Sequence, residues 1–109
     1  MADQPAGLDL EARYWDVVQR ILATHLPGRE VWAFGSRTKG TAKPHSDLDL
    51  AVITEQPLSL QVQAALTEAF SESDLPWRVD VVDWATTSDA FRQLIASHKV
   101  VVQPAAGRA

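Results

Sequence analysis

Residues 34–53 read FGSRTKGTAKPHSDLDLAVI, and two aspartates, Asp47 and Asp49, stand in a stretch that otherwise has the character of a buried strand. Successive strand side chains point to opposite faces, so Asp47, Asp49 and Ala51 share one side while Leu48, Leu50 and Val52 share the other. The leucine side suits a core. Unpaired carboxylates on the opposite side repel each other and resist desolvation, so something must compensate their charge. At a rise of ~3.3 Å per residue the two aspartate Cα atoms lie roughly 6.6 Å apart. Carboxylates at that spacing can converge on two cations about 3.5 to 4 Å apart, the separation used in two-metal phosphoryl transfer. With oxygen ligands alone, and no Cys or His at metal-binding spacing, two Mg²⁺ ions are favoured over zinc, with Mn²⁺ as an alternative.

Mg²⁺ commonly arrives with substrate phosphates, and a phosphate cradle is legible just upstream. Gly35 lets the backbone turn and approach a ligand closely, Ser36 offers a hydroxyl and an amide, and the residues after it can open a short helix whose N-terminus attracts anions. Gly40 adds a second point of backbone freedom. Arg37, Lys39 and Lys43 fall within the same segment, which suits a small phosphorylated ligand, although each lysine can equally be a solvated loop residue. Arg37 either contacts a phosphate or forms a surface ion pair, and Ser46 either contacts a phosphate or turns the chain into the strand. A two-metal site also needs a third oxygen ligand from a neighbouring strand. In WRVDVVDW, Asp80 has the right setting, because Val79 and Val81 can pack while Asp80 faces out; Asp83 points to the opposite face or already lies in the following turn. His25 and His98, at helix ends, read as capping or surface residues, and His45 as a solvated loop residue.

Around this motif the chain alternates between the two periodicities. Leu10, Tyr14, Val17, Val18, Ile21 and Leu22 recur at helical spacing before the Pro27-Gly28 stop. Residues 31–34 and 48–53 read as core strands. After Pro57, the positions of Val62, Ala65, Leu66, Ala69 and Phe70 predict a helix running to the 71–76 region. Residues 78–83 form a third strand, Ser88 caps a helix through Phe91, Leu94 and Ile95, and residues 99–103 make a fourth strand. The expectation is a single α/β (α+β) domain over residues 1–109, with a mixed four-stranded sheet, helices packed on one face, and flexible ends at 1–7 and 104–109. The four tryptophans, at 15, 32, 77 and 84, are expected in the core or an interface rather than on a base-stacking surface.

Composition narrows the function classes. A length of 109 residues fits one domain, and 46% hydrophobic with 22% charged residues is ordinary for a soluble protein. A net charge of −4 argues against general polyanion binding, so no direct contact with long nucleic acid is expected. No segment has the length of apolar residues a membrane span needs, no basic-then-apolar leader pattern opens the chain, and cysteine is absent, so a cytoplasmic location is expected.

The motif Gly-Ser, a glycine-containing loop, then Ser-Asp-x-Asp-Leu, present as GSRTKGTAKPHSDLDL, resembles the signature of the DNA polymerase beta-like nucleotidyltransferase superfamily. The short length, the Arg after Gly35-Ser36, the VDVVD strand and the apolar last strand make the chain most similar to the minimal nucleotidyltransferase antitoxins of the MntA type, the partners of HEPN-domain ribonuclease toxins. The resemblance runs from about Val31 to Gln103 and implies the minimal nucleotidyltransferase fold. It also implies transfer of AMP from ATP to a hydroxyl, with Gly35 and Ser36 holding the nucleotide phosphates, Asp47 and Asp49 binding both metals, and Asp80 completing the metal that activates the acceptor. In the antitoxin branch the implied acceptor is a toxin tyrosine, reached within a hetero-oligomer, and its adenylylation silences the ribonuclease. Two rival readings remain at this level: a small-molecule nucleotidyltransferase whose missing wall comes from a second subunit, and a non-catalytic antitoxin that masks the toxin by direct contact. The chain departs from the family at His98-Lys99, where relatives often carry Gly, a turn expected to lie away from the active site.

Overall fold

A computed structural model describes residues 3–106. The elements follow in the order α1 (Ala12–His25), β1 (Val31–Phe34), α2 (Ser36–Lys39), β2 (Leu48–Val52), α3 (Leu60–Ser71), β3 (Val79–Asp83), a 3₁₀ turn (Trp84–Thr86), α4 (Asp89–Ser97) and β4 (Val100–Gln103). In α1, Trp15, Val18 and Leu22 are buried at the i, i+3, i+7 spacing that makes one apolar stripe. Two of the later helices start on serine caps: Ser59 Oγ accepts from the Val62 amide at 3.2 Å, and Ser88 Oγ accepts from the Phe91 amide at 3.2 Å.

The sheet order is β3-β2-β1-β4. β1 runs antiparallel to both β2 and β4, whereas β2 and β3 are parallel. A parallel pair requires a crossover, and α3 supplies it. The main core forms where the apolar sides of β1 and β2 (Val31, Ala33, Leu48, Leu50 and Val52) meet Trp15, Val18 and Leu22 of α1 and Leu66 and Phe70 of α3. Trp15, Trp32 and Trp77 are buried, in line with a core role for the tryptophans.

The expectation that all helices pack on one face is corrected. A second apolar cluster of Trp32, Ala51 and Ile95, joined by Phe34, Ile53, Val82 and Trp84, lies on the sheet face opposite the main core, and Ile95 belongs to α4. Ile95 is fully buried there, a burial worth about 1.5–3 kcal/mol. The physical reason is that β1 and β2 carry apolar residues on both sides, and Trp32 and Ala51 would remain wet without α4. The second face is therefore only partly roofed, and the aspartates share it.

At the chain ends, the Gln4 side-chain amide donates to the carbonyls of Leu8 and Leu10 at 2.9 and 2.8 Å, and the Ala106 amide donates to Gly28 O at 3.0 Å. The expected flexible ends fall in part on residues 1–2 and 107–109, which lie outside the described residues.

Candidate active site

β1 ends on Phe34, whose register partner in β2 is Asp49. The next residue, Gly35, turns with φ +82° and ψ −157°, a conformation that side chains with a Cβ rarely adopt. A Cβ built on Gly35 would overlap Asp49 Oδ2 and lie 3.3 Å from Asp49 Cγ. Glycine is thus required twice over, by its backbone angle and by the carboxylate seated against it. On the other side of β2, Asp49 pairs in register with Asp80 of β3. Phe34, Asp49 and Asp80 therefore form a row across three strands, with Gly35 packed against Asp49 just past the end of β1. Asp47 stands two residues before Asp49 on the same side.

All three carboxylates are half-buried. Burial, then the charges of Asp80 and Asp47, push the Asp49 carboxyl above the ordinary carboxylate range. Asp80 lies 3.5 Å from the Arg78 guanidinium, but both side chains are substantially exposed, so that pair does little to relieve the repulsion. Among the described residues no three acidic or imidazole side chains are already gathered into a metal-ligand cluster. The donor set nevertheless fits a hard divalent cation: Asp47 and Asp80 both act on the Asp49 carboxyl, the described residues include no sulfur ligand beside them, and a glycine turn leaves a ligand free to approach, while His45 and His98 border the adjoining clefts.

The turn that begins at Gly35 is locked from below. Gly40 closes α2 in the left-handed conformation, with its amide on Ser36 O. The Thr38 hydroxyl donates to Gly35 O at 2.8 Å and sits 3.2 Å from His98 O. His98 Nε2 lies 2.7 Å from Thr38 O; since a carbonyl can only accept, that nitrogen carries the proton. His98 was expected to lie away from the site, and the structure corrects this: the junction of α4 and β4 is tied to the helix that carries the cradle.

Two candidate phosphate contacts are also reassigned. Arg37 is buried, and its guanidinium is engaged with backbone: Nε donates to Ser46 O at 3.0 Å, one terminal nitrogen to Asp9 O at 3.0 Å, and the other to Pro44 O at 3.3 Å. Its carbon head lies 4.5 Å from the centre of the Trp77 ring. Burial lowers its pKa, which for a guanidinium leaves it charged. Arg37 is thus a staple for the 43–46 loop and the Asp9 segment instead of a ligand in the cradle. Ser46 Oγ accepts from the Lys43 amide at 2.8 Å, closing the turn that leads into Asp47. Asp83 behaves as its position predicts. Its carboxylate faces away from the other aspartates, accepting from the Leu58 amide at 2.7 Å, the Ala85 amide at 3.3 Å and the Thr54 hydroxyl.

Two clefts flank the carboxylates and meet at Asp80. One, of about 770 Å³, is bordered by His45, Asp47, Trp77, Arg78 and Asp80. The other, of about 540 Å³, is bordered by Gly35, Lys39, Asp49 and Asp80 on the sheet side and by Phe91, Leu94 and His98 opposite.

Residues 17–105 match the family model described as polymerase beta, nucleotidyltransferase. The chain belongs to this family. A curated nucleotidyltransferase relative, the probable protein adenylyltransferase MntA of Haemophilus influenzae, is 55% identical over 98 residues, covering 90% of this chain and 86% of the relative. Among solved structures, a toxin-antitoxin crystal structure with AMP-PNP superposes with a TM-score of 0.70 at 24% identity, over 84% of this chain and 74% of that one. A complex of a tri-AMPylated Shewanella oneidensis HEPN toxin with an MNT antitoxin superposes with a TM-score of 0.65 at 21% identity, over 87% and 73%. At these identities the structural likenesses establish the shared nucleotidyltransferase fold. No helix among the described residues is long and apolar enough to cross a membrane.

Sequence reasoning left Thr38 and the packing role of Arg37 unnoticed. A threonine three residues after the turn glycine carries no pattern of its own. An arginine beside a glycine-serine turn reads as an anion contact until the carbonyls around it are seen.

Proposed function

We propose that the chain is an antitoxin protein adenylyltransferase, transferring AMP from ATP to a tyrosine hydroxyl of a HEPN-domain toxin and so neutralising its ribonuclease activity within a hetero-oligomer. The observation that carries this reading is the registered pair Asp49 and Asp80 on adjacent strands, with Gly35 packed against Asp49 at the end of β1 and Asp47 on the same face. The 55% identity to a probable protein adenylyltransferase supports the reaction class, and the fold shared with MNT antitoxins crystallised beside HEPN toxins supports the partner. A cytoplasmic setting, where ATP and toxin meet, belongs to the same proposal, as does the absence of direct nucleic-acid binding.

In this reading Gly35 and Ser36 receive the β- and γ-phosphates, and Asp47, Asp49 and Asp80 hold two Mg²⁺ ions. When bound, the ions neutralise charge on the phosphates and lower the pKa of the acceptor hydroxyl. The acceptor oxygen attacks the α-phosphorus in line; the bond from that phosphorus to the β-phosphate bridge breaks, and pyrophosphate leaves. Asp80, at the junction of the two clefts, takes the hydroxyl proton. In this reading the toxin supplies the wall that encloses its own tyrosine hydroxyl.

The test is incubation with ATP, Mg²⁺ and the cognate toxin, read by intact mass and ribonuclease assay, for the wild type and the Asp47→Ala, Asp49→Ala double variant. AMP added to the toxin by the wild type alone, with neutralisation lost in the variant, is the expected result. Undiminished neutralisation by the variant without AMP transfer would replace catalysis with masking. AMP appearing only on an added small molecule would move the acceptor class.

A further inference from the structure

β3 closes one end of the sheet and pairs only with β2. The Leu48 amide donates to Arg78 O at 2.9 Å, and in a parallel ladder that bond fixes which backbone groups face the neighbouring strand. Those of Arg78, Asp80 and Val82 turn to β2, and those of Val79, Val81 and Asp83 turn outward. Among the described residues no protein group hydrogen-bonds the outward amides of Val79, Val81 and Asp83 or the carbonyls of Val79 and Val81. Asp83 O alone is satisfied, by the Thr86 and Thr87 hydroxyls. Open edges are ordinarily blunted by a lysine, a proline or a bulge. The opposite edge strand, β4, shifts register at Val31–Trp32 and folds the Gln103 side chain onto the Leu26 and Arg29 carbonyls. β3 keeps an unbroken register and carries no lysine or proline.

The β3 edge lies at the bottom of a groove. A cleft of about 600 Å³ at its Asp83 end has Leu66 and Thr67 of α3 on one side, Ser88 and Phe91 on the other, and Val81 and Val82 between them. Val81 and Val82 point to opposite faces of the sheet, so a cavity bordered by both wraps around the edge itself. Thr67 and Val81 also border the cleft toward Arg78, which makes the groove continuous along the strand. The segment that builds the α3 wall is acidic. Glu55, Glu68, Glu72 and Asp74 are exposed and have no ion-pair partner among the described residues, and no Lys or Arg occurs between Lys43 and Arg78. A second copy of this chain is a poor occupant, because two-fold pairing of β3 with itself would set two such acidic walls side by side.

We propose that the β3 edge is a strand-addition site for an extended segment of a partner protein, with basic residues at its ends and an apolar side chain seated in the cleft between α3 and α4. Backbone pairing to Val79, Val81 and Asp83 sets the register, the floor of Leu58, Leu66 and Val81 selects the apolar anchor, and Glu68 and Glu72 select the charge. The inference stands apart from the transfer reaction and its acceptor, since it uses none of the Asp47, Asp49 and Asp80 carboxylates.

The probe is a capped nonapeptide in which threonine alternates with valine, leucine and valine, with an arginine at one end and a lysine at the other. Two further versions carry N-methyl groups on alternate amides, one version for each parity. Binding is followed by fluorescence anisotropy of labelled peptide and by amide shifts and hydrogen exchange in ¹⁵N-labelled protein. Saturable binding tighter than about 1 mM is expected, with shifts and slowed exchange centred on the Val79, Val81 and Asp83 amides. One methylated peptide should bind roughly tenfold or more weakly and the other as the parent does, because only every second amide of an added strand faces the edge. Val81→Pro removes an outward donor while leaving the bonds to β2 in place, and should weaken binding by about tenfold. Thr67→Trp, on the exposed side of α3, fills the cleft without touching the strand and gives the same readout where circular dichroism shows the proline variant unfolded. Glu68→Lys combined with Glu72→Lys should weaken binding roughly three- to tenfold at low salt and little at about 0.5 M. Absence of saturable binding, equal behaviour of the two methylated peptides, or shifts that avoid β3 would overturn the assignment. A dimer of the free protein abolished by Val81→Pro would also overturn it, by putting a second copy in place of the partner segment.

Discussion

Replacing Arg37 by Met separates a structural staple from a phosphate ligand. The side chain is 5% exposed and donates two well-formed bonds at 3.0 Å, to Ser46 O and Asp9 O. Hydrogen bonds from a charged donor contribute about 1.5–3 kcal/mol each. The contacts to Pro44 and Lys43, at 3.3 and 3.5 Å, add little. The position over the Trp77 ring adds about 0.5–2 kcal/mol. Methionine refills much of the stem, and water can reach the loop carbonyls, so the low end of the sum applies, about 3.5 kcal/mol. Against a total stability of about 5–15 kcal/mol, this is a large loss. Urea unfolding followed by tryptophan fluorescence should show the midpoint falling by roughly 1–3 M with m unchanged. Arg37→Lys should lose most of the same stability, because an ammonium cannot fork between two carbonyls. Mg²⁺-dependent ATP affinity, measured well below the midpoint, should stay close to wild type. A variant of wild-type stability whose ATP affinity falls tenfold or more would refute the staple and restore Arg37 to the cradle.

Gly35→Ala combines a strained backbone with a methyl group overlapping the Asp49 carboxylate, so a stability loss of about 1–3 kcal/mol is expected. ATP binding should fall to the limit of calorimetric detection, and full retention of it would show that the turn is not the cradle. For Asp49, burial and the neighbouring carboxylates raise the folded-state pKa. The native state therefore holds its proton to higher pH than the unfolded chain does, and stability declines as pH rises from the unfolded value, about 3.9, through the raised folded one. Asp49→Asn should accordingly stabilise the metal-free protein at neutral pH, a gain that disappears below the ordinary carboxylate range; a less stable Asn variant at pH 7 would contradict this. Asp83→Ala strips the Leu58 amide and the Thr54 hydroxyl of their acceptor, while the Ala85 amide keeps Thr54 Oγ1 at 3.1 Å, so about 2–3 kcal/mol of stability should go. ATP affinity should be untouched, whereas Asp80→Ala should do the reverse, and both are read from the same pair of denaturation and calorimetry measurements.

The elements were legible where periodicity and punctuation agreed. Val31 to Phe34 and Leu48 to Val52 are short apolar runs closed by a glycine or opened by a polar loop, and both are strands. Ser88 was legible as a cap and caps α4, whereas the cap of α3 by Ser59 was not read from the sequence. The second-face position of α4 was not legible. Phe91, Leu94 and Ile95 announce an apolar stripe, but a stripe does not say which side of a sheet it covers. That side is settled by the residues left uncovered, Trp32 and Ala51, and they become visible only once the alternation of β1 and β2 is placed in one register.

The aspartates were legible because strand geometry makes a two-residue spacing a statement about a shared face, and the parallel register of β2 and β3 then carries Asp80 to Asp49. Arg37 and His98 had no such rule, since their roles depend on contacts between segments far apart in the chain: Asp9 with Arg37, and Thr38 with His98. These contacts also explain how the fold holds a glycine turn against a half-buried carboxylate. The Asp47, Asp49 and Asp80 carboxylates cost stability through burial of Asp49 and like-charge repulsion. The staple at Arg37 and the tie at Thr38–His98 fix the two ends of the loop that carries the motif, so the opposing energy comes from outside the site. If that division is correct, weakening either tie should lower stability more than nucleotide affinity, whereas changes to the three carboxylates should do the opposite.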